Sequence, residues 1–452
     1  MSKAKTQFVC QNCGAVYLKW VGRCTNCGEW NSLVEQTVES KGKSAIAKAN
    51  QSGQVLKPQA IKNISSEKAH NRILTGVPDL DVVLGGGIVI GGVVLLAGQP
   101  GIGKSTLLMQ LSSEISKNRK VLYVSGEESA SQVKLRAQRL GVLNSINDLD
   151  FISSTNAGDI AATIKEDHYD LVVIDSIQTM ALDDLTSAPG TVSQVTGASN
   201  VIIRAAKQSN TAVMLVGHVT KDGTIAGPKV LEHLVDVVLQ FEGDRYGGFK
   251  VVRAVKNRYG STAEAVIFEM DDQGLRIVEN PSATLLKERN NLDGSVVLAT
   301  IEGNRPLLVE IQALVNTTSF GYPKRAASGF DINRLNLLVA VLEKRTNLKL
   351  TDKDIYINVV GGVKLDDRAA DLAICMAIAS VASGRKLADD TVVFGEVGLG
   401  GEIRSAKLTD KRIAEAKKLG FKKAIAPSTS KNNKFIDGAA DLRGALIKHL
   451  QN

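Results

Sequence analysis

The sequence is poor in aromatic residues and cysteines and has no long apolar run. Phe, Trp and Tyr together make up 4% of the 452 residues. Four of the five cysteines lie within the first 27 residues, so they form a local feature and not a disulfide framework. The most apolar stretches, 84–98 and 369–384, are too short or too rich in glycine to span a bilayer.

Residues 1–10 lack the apolar core of a signal peptide, so we expect a soluble, cytoplasmic protein with no membrane partner. The length predicts two or three domains. The net charge is +8, and residues 1–70 hold ten Lys and Arg against four Asp and Glu. Such a basic segment fits a nucleic-acid partner or an ordinary solvated tail.

Residues 98–106 match the phosphate-binding pattern G-x-x-x-x-G-K-[ST]. The apolar run 93–97 predicts a buried strand before the loop, and apolar residues at helical spacing predict a helix that begins near Lys104. Glycines let backbone N–H groups close around a polyphosphate, and a helix N-terminus adds partial positive charge. We therefore predict a loop that binds a nucleoside triphosphate, formed by Gly98, Gln99, Pro100, Gly101, Ile102, Gly103, Lys104, Ser105 and Thr106.

Polar side chains at the ends of later apolar runs predict the rest of the chemistry. Strands and helices alternate beyond the loop, which is typical of a parallel sheet covered on both faces. Lys104 would hold the β- and γ-phosphates, and Ser105 with Asp175 would hold Mg²⁺. Glu127 is predicted to polarise the attacking water, with its neighbour Glu128 as the alternative.

His218 ends a further predicted strand, 212–218, and either senses the γ-phosphate or caps the strand. Two segments at the same edge, 181–190 and 220–227, are predicted to be mobile loops. They would place Lys221 and Lys229 near a nucleic-acid backbone, or would be ordinary solvated loops.

The first 27 residues contain two C-x₂-C pairs separated by ten residues. Two pairs of thiolates on tight turns can supply the four tetrahedral ligands of Zn²⁺. A redox-active pair is the alternative, but it would lie in a thioredoxin-like unit and would not come in duplicate. We predict a structural zinc site with Trp20 and Trp30 covering the small unit around it. Its ligands are Cys10, Cys13, Cys24 and Cys27.

Three segments, 237–241, 249–255 and 265–270, alternate in polarity and predict antiparallel strands. Between the last two lie Lys256 and Arg258, two cations on a tight loop far along the chain from residues 98–106. They suggest action on the nucleotide of a neighbouring subunit, although the pattern by itself favours an ordinary basic turn.

Four features occur in the order found in the RadA (Sms) family of bacterial DNA repair proteins, which this sequence resembles. They are the cysteine pairs, residues 75–87 with the phosphate loop, residues 256–260 and the C-terminal region. The family signature Lys-Asn-Arg-Phe-Gly is Lys-Asn-Arg-Tyr-Gly here. The resemblance implies a RecA-like ATPase that forms a hexameric ring on single-stranded and branched DNA. It further implies branch migration of recombination intermediates, a RecA-type recombinase as a partner, and functional roles for Lys256 and Arg258.

The C-terminal region resembles the catalytic domain of Lon proteases. The turn that carries the Lon serine, Asp-Gly-Pro-Ser-Ala-Gly, reads Asp-Asp-Arg-Ala-Ala-Asp at 366–371. Ala369 therefore replaces the nucleophile, and Asp410 falls at the position of the partner lysine. Because a methyl group cannot attack a carbonyl, we expect a scaffold and not an active protease. Cys375 is expected to be a buried core thiol.

Together these features predict an α/β protein with a RecA-like P-loop NTPase core, a small N-terminal zinc knuckle and a C-terminal α/β Lon-protease-like domain. The predicted boundaries are 1–34 for the zinc-binding domain, 35–70 for a linker, 71–280 for the ATPase and 281–452 for the Lon-like domain. The predicted function is that of a DNA-dependent ATPase and helicase-type motor. The alternatives are a nucleotide-switched signalling or assembly ATPase, and an ATP-dependent protease, against which Ala369 argues.

Overall fold

The computed structural model describes residues 5–10, 15–26, 28–30, 32–38, 60, 71–218, 230–243, 248–318, 321–428 and 433–450. The chain divides into two compact units. The first comprises residues 1–241 with 254–262 and 272–274, and the second comprises 242–253, 263–271 and 275–452. In the described part of the chain, no helix is long and apolar enough to cross a membrane.

The first unit begins with a small antiparallel sheet in the order β2-β1-β3. Its strands are β1 (Lys5–Cys10), β2 (Val16–Tyr17) and β3 (Leu33–Val38). Lys5 of β1 lies opposite Val38 of β3, so pairing extends along both strands and continues past residue 34. Cys10, Cys24 and Leu33 form the buried centre of this sheet.

A short lead-in precedes the main sheet. Strands β4 (Arg72–Ile73) and β5 (Ile88–Val89) pair antiparallel, and helix α1 (Pro78–Val83) lies between them in the chain. Proline suits the first turn of α1, where its missing N–H has no helical partner. Three glycines at 85–87 follow with positive φ, a backbone conformation that glycine adopts readily.

Six parallel strands form the centre of the first unit, in the order β11-β6-β10-β9-β7-β8. Helices follow most of these strands and cover both faces of the sheet. The strand β6 is therefore buried along its whole length. Since the carboxyl ends of parallel strands meet at one edge, the residues after β6, β7, β9 and β10 come together there. The elements are β6 (Val93–Gly98), α2 (Lys104–Ser116), β7 (Val121–Ser125), α3 (Ala130–Arg139), β8 (Leu149–Ser153), α4 (Ala157–Glu166), β9 (Leu171–Asp175), α5 (Val192–Ser209), β10 (Ala212–His218), α6 (Val230–Leu234) and β11 (Val237–Gly243).

The strand β11 lies between β6 and the strand that follows it in the chain. Val237 of β11 lies opposite Val94 of β6, and these two strands run parallel. That 237–241 runs antiparallel to the following segment stays a prediction. The alternating pattern reflects a strand with partly exposed positions near its end, and it carries no information on direction. The next two strands, β12 (Lys250–Asn257) and β13 (Ala265–Asp271), are antiparallel as predicted, and β14 (Gly274–Ile277) follows.

The second unit contains a seven-stranded sheet in the order β17-β18-β16-β15-β19-β22-β23 and a separate pair, β20-β21. Residues 370–380 of helix α9 are all buried, so this helix, apolar on every side, lies in the core. Cys375 is fully buried there, as predicted. The elements are α7 (Pro281–Leu286), β15 (Ser295–Glu302), β16 (Arg305–Thr317), β17 (Arg325–Ser328), α8 (Ile332–Thr346), β18 (Lys353–Val359), α9 (Ala370–Ser383), β19 (Thr391–Val393), β20 (Glu396–Val397), β21 (Ile403–Arg404), α10 (Thr409–Lys418), β22 (Lys423–Pro427), β23 (Ile436–Ala439) and α11 (Leu442–His449).

Candidate active site

The loop between β6 and α2 has the backbone geometry of a phosphate cradle. Gly101 and Gly103 have φ of 78° and 115°, which disfavour any residue with a Cβ. A Cβ at Gly98 would lie 2.7 Å from the carbonyl oxygen of Phe241, so this position also requires glycine. Helix α2 begins at Lys104, as predicted, and Ser105 lies in its first turn. Free backbone N–H groups of a helix N-terminus therefore face the loop.

Lys104 extends back into the loop and is almost completely buried. Its ammonium donates to the carbonyl oxygens of Gly98 at 2.8 Å and Gln99 at 3.0 Å, and it lies 3.2 Å from Nδ1 of His218. Burial lowers the pKa of Lys104 from 10.5 to about 8, although nearby Asp175 and Glu127 oppose that shift. The lysine, both carboxylates and the histidine thus form one electrostatic cluster at the carboxyl edge of the sheet.

Asp175 ends β9 and lies opposite Ser125 at the end of β7. Its Oδ2 accepts a hydrogen bond of 2.7 Å from the hydroxyl of Tyr123, which is itself 1% exposed. Burial and the neighbouring carboxylate raise the pKa of Tyr123, which keeps its proton on the phenol oxygen. Sequence reasoning placed Asp175 correctly at a strand end but missed Tyr123, because one aromatic residue in an apolar strand gives no functional signal.

The structure distinguishes the two neighbouring glutamates. The carboxylate of Glu128 forms an ion pair with Arg136 of α3, and the Arg136 side chain is 14% exposed. Glu127 instead accepts a hydrogen bond of 2.8 Å from Ser176, and its Oε1 lies 3.8 Å from Nε2 of His218. Glu127 is therefore the carboxylate that faces the cluster, whereas Glu128 is engaged by α3.

His218 lies between Lys104 and Glu127 at the end of β10. Burial and the adjacent Lys104 ammonium lower the pKa of His218, which favours the neutral ring near neutral pH. The ring can then accept from one neighbour and donate to another, so it connects the loop lysine to the candidate base. A buried ammonium, a hydroxyl at a helix N-terminus and two carboxylates beside a glycine cradle together fit a nucleoside triphosphate with Mg²⁺.

The segment 256–260 lies at the opposite end of β6. Arg258 forms an ion pair with Asp236, in which its guanidinium lies 2.9 Å from Oδ1. The other oxygen of Asp236, Oδ2, accepts a hydrogen bond of 3.0 Å from the backbone N–H of Val93, where β6 begins. The nucleotide loop begins at the other end of β6, at Gly98, five residues later, which corresponds to roughly 17 Å along a strand. The structure therefore does not bring Lys256 or Arg258 together with Lys104, Glu127 and Asp175 of the same chain.

Each residue of this motif has its own contact. Lys256 donates to the carbonyl oxygens of Glu232 at 2.5 Å and Val235 at 2.8 Å, and burial together with Arg258 lowers its pKa. The other three contacts fix the turn. Asn257 donates to the carbonyl of Val83, the guanidinium of Arg72 lies 5.5 Å from the Tyr259 ring centre, and a Cβ at Gly260 would lie 2.7 Å from Cα of Gly85.

Half of the predicted zinc ligands lie in the described residues. Cys10 and Cys24 are buried, with sulfurs 3.2 Å from the hydroxyls of Ser32 and Tyr17. Gly28 has a φ of 78°, as its position after a cysteine pair requires. Cys13 and Cys27 lie outside the described residues, and within the described ranges no cluster of three or more metal-ligating side chains occurs. The two buried thiols belong to one cluster, and their donor chemistry fits Zn²⁺.

The prediction that Trp20 and Trp30 cover this unit is wrong. Trp20 is 55% exposed and Trp30 is 68% exposed, and the guanidinium of Arg23 lies 5.7 Å from the Trp30 ring centre. The two rings approach each other over Gly22 on the surface. Cysteine, leucine and the partly buried Phe8, Ala15, Tyr17 and Val21 form the centre instead.

The two predicted loops have different outcomes. The segment 181–190 is held by the amide of Gln194, which is 2% exposed and bonds the backbone of Leu182, Leu185 and Ser187. One buried side chain thus anchors this segment to α5, and the mobility of its exposed residues stays a prediction. The segment 220–227, which contains Lys221, lies outside the described residues, and so does Lys229.

The Lon-like turn contains ion pairs where a protease would hold its nucleophile. Ala369 is 4% exposed and precedes α9, and Asp410 is exposed on α10. Arg412, two residues further along α10, is buried and lies 2.7 Å from Oδ2 of Asp367. Asp371 forms a second ion pair with Arg334, whose Nε lies 3.0 Å from Oδ1 of Asp371. A cavity of about 410 Å³ lies beside the turn.

Comparison with known proteins places three family models on the chain. Residues 8–35 match a rubredoxin metal binding domain, residues 63–224 match an AAA domain, and residues 334–430 match subunit ChlI of Mg-chelatase.

Two curated relatives match nearly the whole chain. The DNA repair protein RadA of Halalkalibacterium halodurans is 48% identical over 446 residues, which cover 98% of this chain and 97% of that protein. The DNA repair protein RadA of Listeria monocytogenes is 50% identical over 438 residues, which cover 96% and 94%. Among solved structures, the RadB recombinase matches with a TM-score of 0.38 and 21% identity, over 46% of this chain and 100% of that one.

Proposed function

This chain belongs to the RadA family of DNA repair proteins, and from that membership we propose that it is a DNA-dependent ATPase and helicase-type motor of the cytoplasm. It binds single-stranded and branched DNA and promotes branch migration of recombination intermediates. The observation that carries the proposal is the arrangement along β6, where the nucleotide loop follows one end and the motif 256–260 is anchored at the other. A ring of such subunits places the motif of one beside the nucleotide of the next.

At the first end, the side chains of one subunit bind and activate the nucleotide. Lys104 exchanges its two loop carbonyl partners for oxygens of the β- and γ-phosphates. Ser105 and Asp175 hold Mg²⁺, which when bound neutralises charge on the phosphates. Glu127 orients and polarises the attacking water, and Ser176 and His218 hold Glu127 in position.

At the other end, Lys256 and Arg258 act on the neighbour's nucleotide. Arg258 is 52% exposed although it pairs with Asp236, so part of its guanidinium faces solvent and is available to another subunit. A cation supplied in trans stabilises the charge that spreads onto the γ-phosphoryl oxygens. The assembly is then a homo-oligomer, and a hexameric ring is the form that the family resemblance favours.

The two remaining domains support this motor. Cys10, Cys13, Cys24 and Cys27 bind one structural Zn²⁺ at the N-terminal sheet. A RecA-type recombinase is the protein partner that the family resemblance favours. The Lon-like domain acts as a scaffold for ring assembly and not as a protease. Buried Ala369 and the Asp367–Arg412 pair support that role, because the turn offers neither nucleophile nor free lysine.

The test is ATP hydrolysis by the full chain without DNA, with single-stranded DNA and with duplex DNA, using Lys104→Ala as the control. We expect single strands to stimulate turnover, and Lys104→Ala to abolish it. A branch-migration assay on a three-strand intermediate then asks whether hydrolysis moves a junction.

Hydrolysis that is indifferent to every DNA would overturn the motor and favour the nucleotide-switched signalling ATPase. Unchanged turnover in Lys104→Ala would overturn the nucleotide assignment itself. ATP-driven cleavage of a casein substrate that disappears in Lys104→Ala would overturn the scaffold role of the Lon-like domain.

A further inference from the structure

The sheet positions Tyr123 so that its hydroxyl forms a hydrogen bond with the carboxylate of Asp175. It lies on β7 opposite Val173 of β9, and Ser125, two residues later, lies opposite Asp175. Residues two apart on a strand point to the same face, so the phenol ring extends along that face towards the strand ends. The hydroxyl donates a hydrogen bond of 2.7 Å to Oδ2 of Asp175, at the same edge of the sheet as the nucleotide loop.

This contact is buried and has the usual length of a hydrogen bond between two oxygens. Tyr123 is 1% exposed and Asp175 is 9% exposed, so neither group exchanges this partner readily for water. A buried tyrosine hydroxyl needs a hydrogen-bond partner, and phenylalanine would fill the same space without one. A carboxylate that accepts a bond on one oxygen is also fixed in rotation about its own bond to Cβ.

Fixing Asp175 has a consequence for its second oxygen. With Oδ2 held on the side of Tyr123, Oδ1 has a defined direction relative to the strand end. Groups that hydrogen-bond a metal-ligating carboxylate set its orientation, and their loss typically weakens metal affinity or activity by about 10- to 100-fold.

From this geometry we infer that Tyr123 is a positioning residue, which orients Asp175 towards the magnesium of the bound nucleotide. The inference rests on the proposed role of Asp175. Tyr123 itself touches neither nucleotide nor metal. Its contribution is a carboxylate that is already oriented before Mg²⁺ arrives, which removes the cost of ordering that side chain during binding.

The chain offers a matched control in the same unit. The hydroxyl of Tyr169 donates to Oδ2 of Asp150 at 2.8 Å, and Tyr169 is 6% exposed. Asp150 lies near the start of β8, at the edge opposite the nucleotide loop. Tyr169→Phe therefore removes the same kind of bond, with the same loss of one oxygen atom, away from the candidate site.

The experiment measures binding of a fluorescent ADP analogue to the full chain as Mg²⁺ is titrated, and again in EDTA. In Tyr123→Phe we expect the Mg²⁺ concentration at half effect to rise about 10-fold, while affinity in EDTA stays unchanged. Tyr169→Phe should match the wild type in both. Maximal ATP turnover in Tyr123→Phe should fall as well, with the loss partly recovered at high Mg²⁺.

Equal Mg²⁺ dependence in Tyr123→Phe and the wild type would overturn the inference, provided that Asp175→Asn loses that dependence. If Asp175→Asn keeps it too, the magnesium assignment of Asp175 is overturned along with the role of Tyr123. A fall in EDTA-state affinity equal to the fall with Mg²⁺ would also overturn it, because it would show a general change of the pocket. Thermal unfolding of each variant establishes that the compared proteins are folded.

Discussion

The ion pair between Asp367 and Arg412 allows a quantitative test of how the Lon-like turn is built. The Arg412 side chain is 1% exposed, and its guanidinium also donates to the carbonyl oxygens of Ala299 at 2.6 Å and Lys407 at 3.0 Å. Asp367→Asn keeps the shape of the side chain and removes its charge. The guanidinium is then buried without a counterion, which costs about 3 kcal/mol of unfolding free energy or somewhat more.

A loss of that size lowers the thermal midpoint of a unit of this length by about 10 °C. The assay is urea and thermal unfolding followed by circular dichroism. The control is Asp271→Asn, since Asp271 pairs with Arg276 at 2.8 Å but the two side chains are 37% and 55% exposed. An exposed pair of this kind contributes about 1 kcal/mol at most.

The double variant Asp367→Asn with Arg412→Met removes both charges and should be more stable than Asp367→Asn alone, because no unpaired charge is left buried. A change in Asp367→Asn no larger than that in Asp271→Asn would refute the reasoning. It would show that the pair at the turn is as well hydrated as one on the surface.

Three further predictions concern the other motifs. Arg258→Ala should lower ATP turnover by about 10³-fold or more while leaving binding of ATP to an isolated subunit largely intact; a loss of affinity in a monomer would instead make Arg258 a residue of its own site. Cys24→Ser should release zinc, measured by a colorimetric chelator, and unfold the N-terminal sheet; retained stoichiometric zinc would contradict a four-thiolate site. Because Trp20 and Trp30 are exposed and are the two tryptophans of the chain, acrylamide should quench the fluorescence of the folded protein almost as strongly as that of the protein in urea; strong protection in the folded state would restore the covering role.

The sequence was sufficient for the parts of the fold in which local pattern and chemistry coincide. The strand, loop and helix around residues 98–106 follow from an apolar run, fixed glycines and a helical repeat. The placement of Asp175 at the end of a buried strand was predictable, because the apolar run 171–174 precedes it directly. Glu127 and Glu128 remained alternatives, since their sequence contexts are the same. Arg136, which engages Glu128, belongs to the next helix and meets it only in the folded chain.

Other features depend on contacts between distant segments, and local pattern does not encode those. Asp236 connects β6 to Arg258, but in the sequence it is one acidic residue before a strand. Gln194 fixes the segment 181–190 from inside a helix, where a polar residue ordinarily predicts a solvated face. The exposed tryptophans were misplaced because large apolar residues are buried on average, whereas the centre of this small sheet is filled by cysteines, aliphatic side chains and the smaller aromatic residues Phe8 and Tyr17.

The strand β6 has a mechanical consequence. It is buried along all six residues and bonded on both sides, by β10 and β11, so it can neither stretch nor buckle without breaking the sheet. A strand held in this way keeps the distance between its two ends constant. The nucleotide loop at one end and Val93 with Asp236 at the other are therefore rigidly spaced, and Arg258 is tied to that spacing through Asp236. In the ring proposed above, this constant spacing would fix how far the Arg258 guanidinium of a subunit lies from that subunit's own nucleotide.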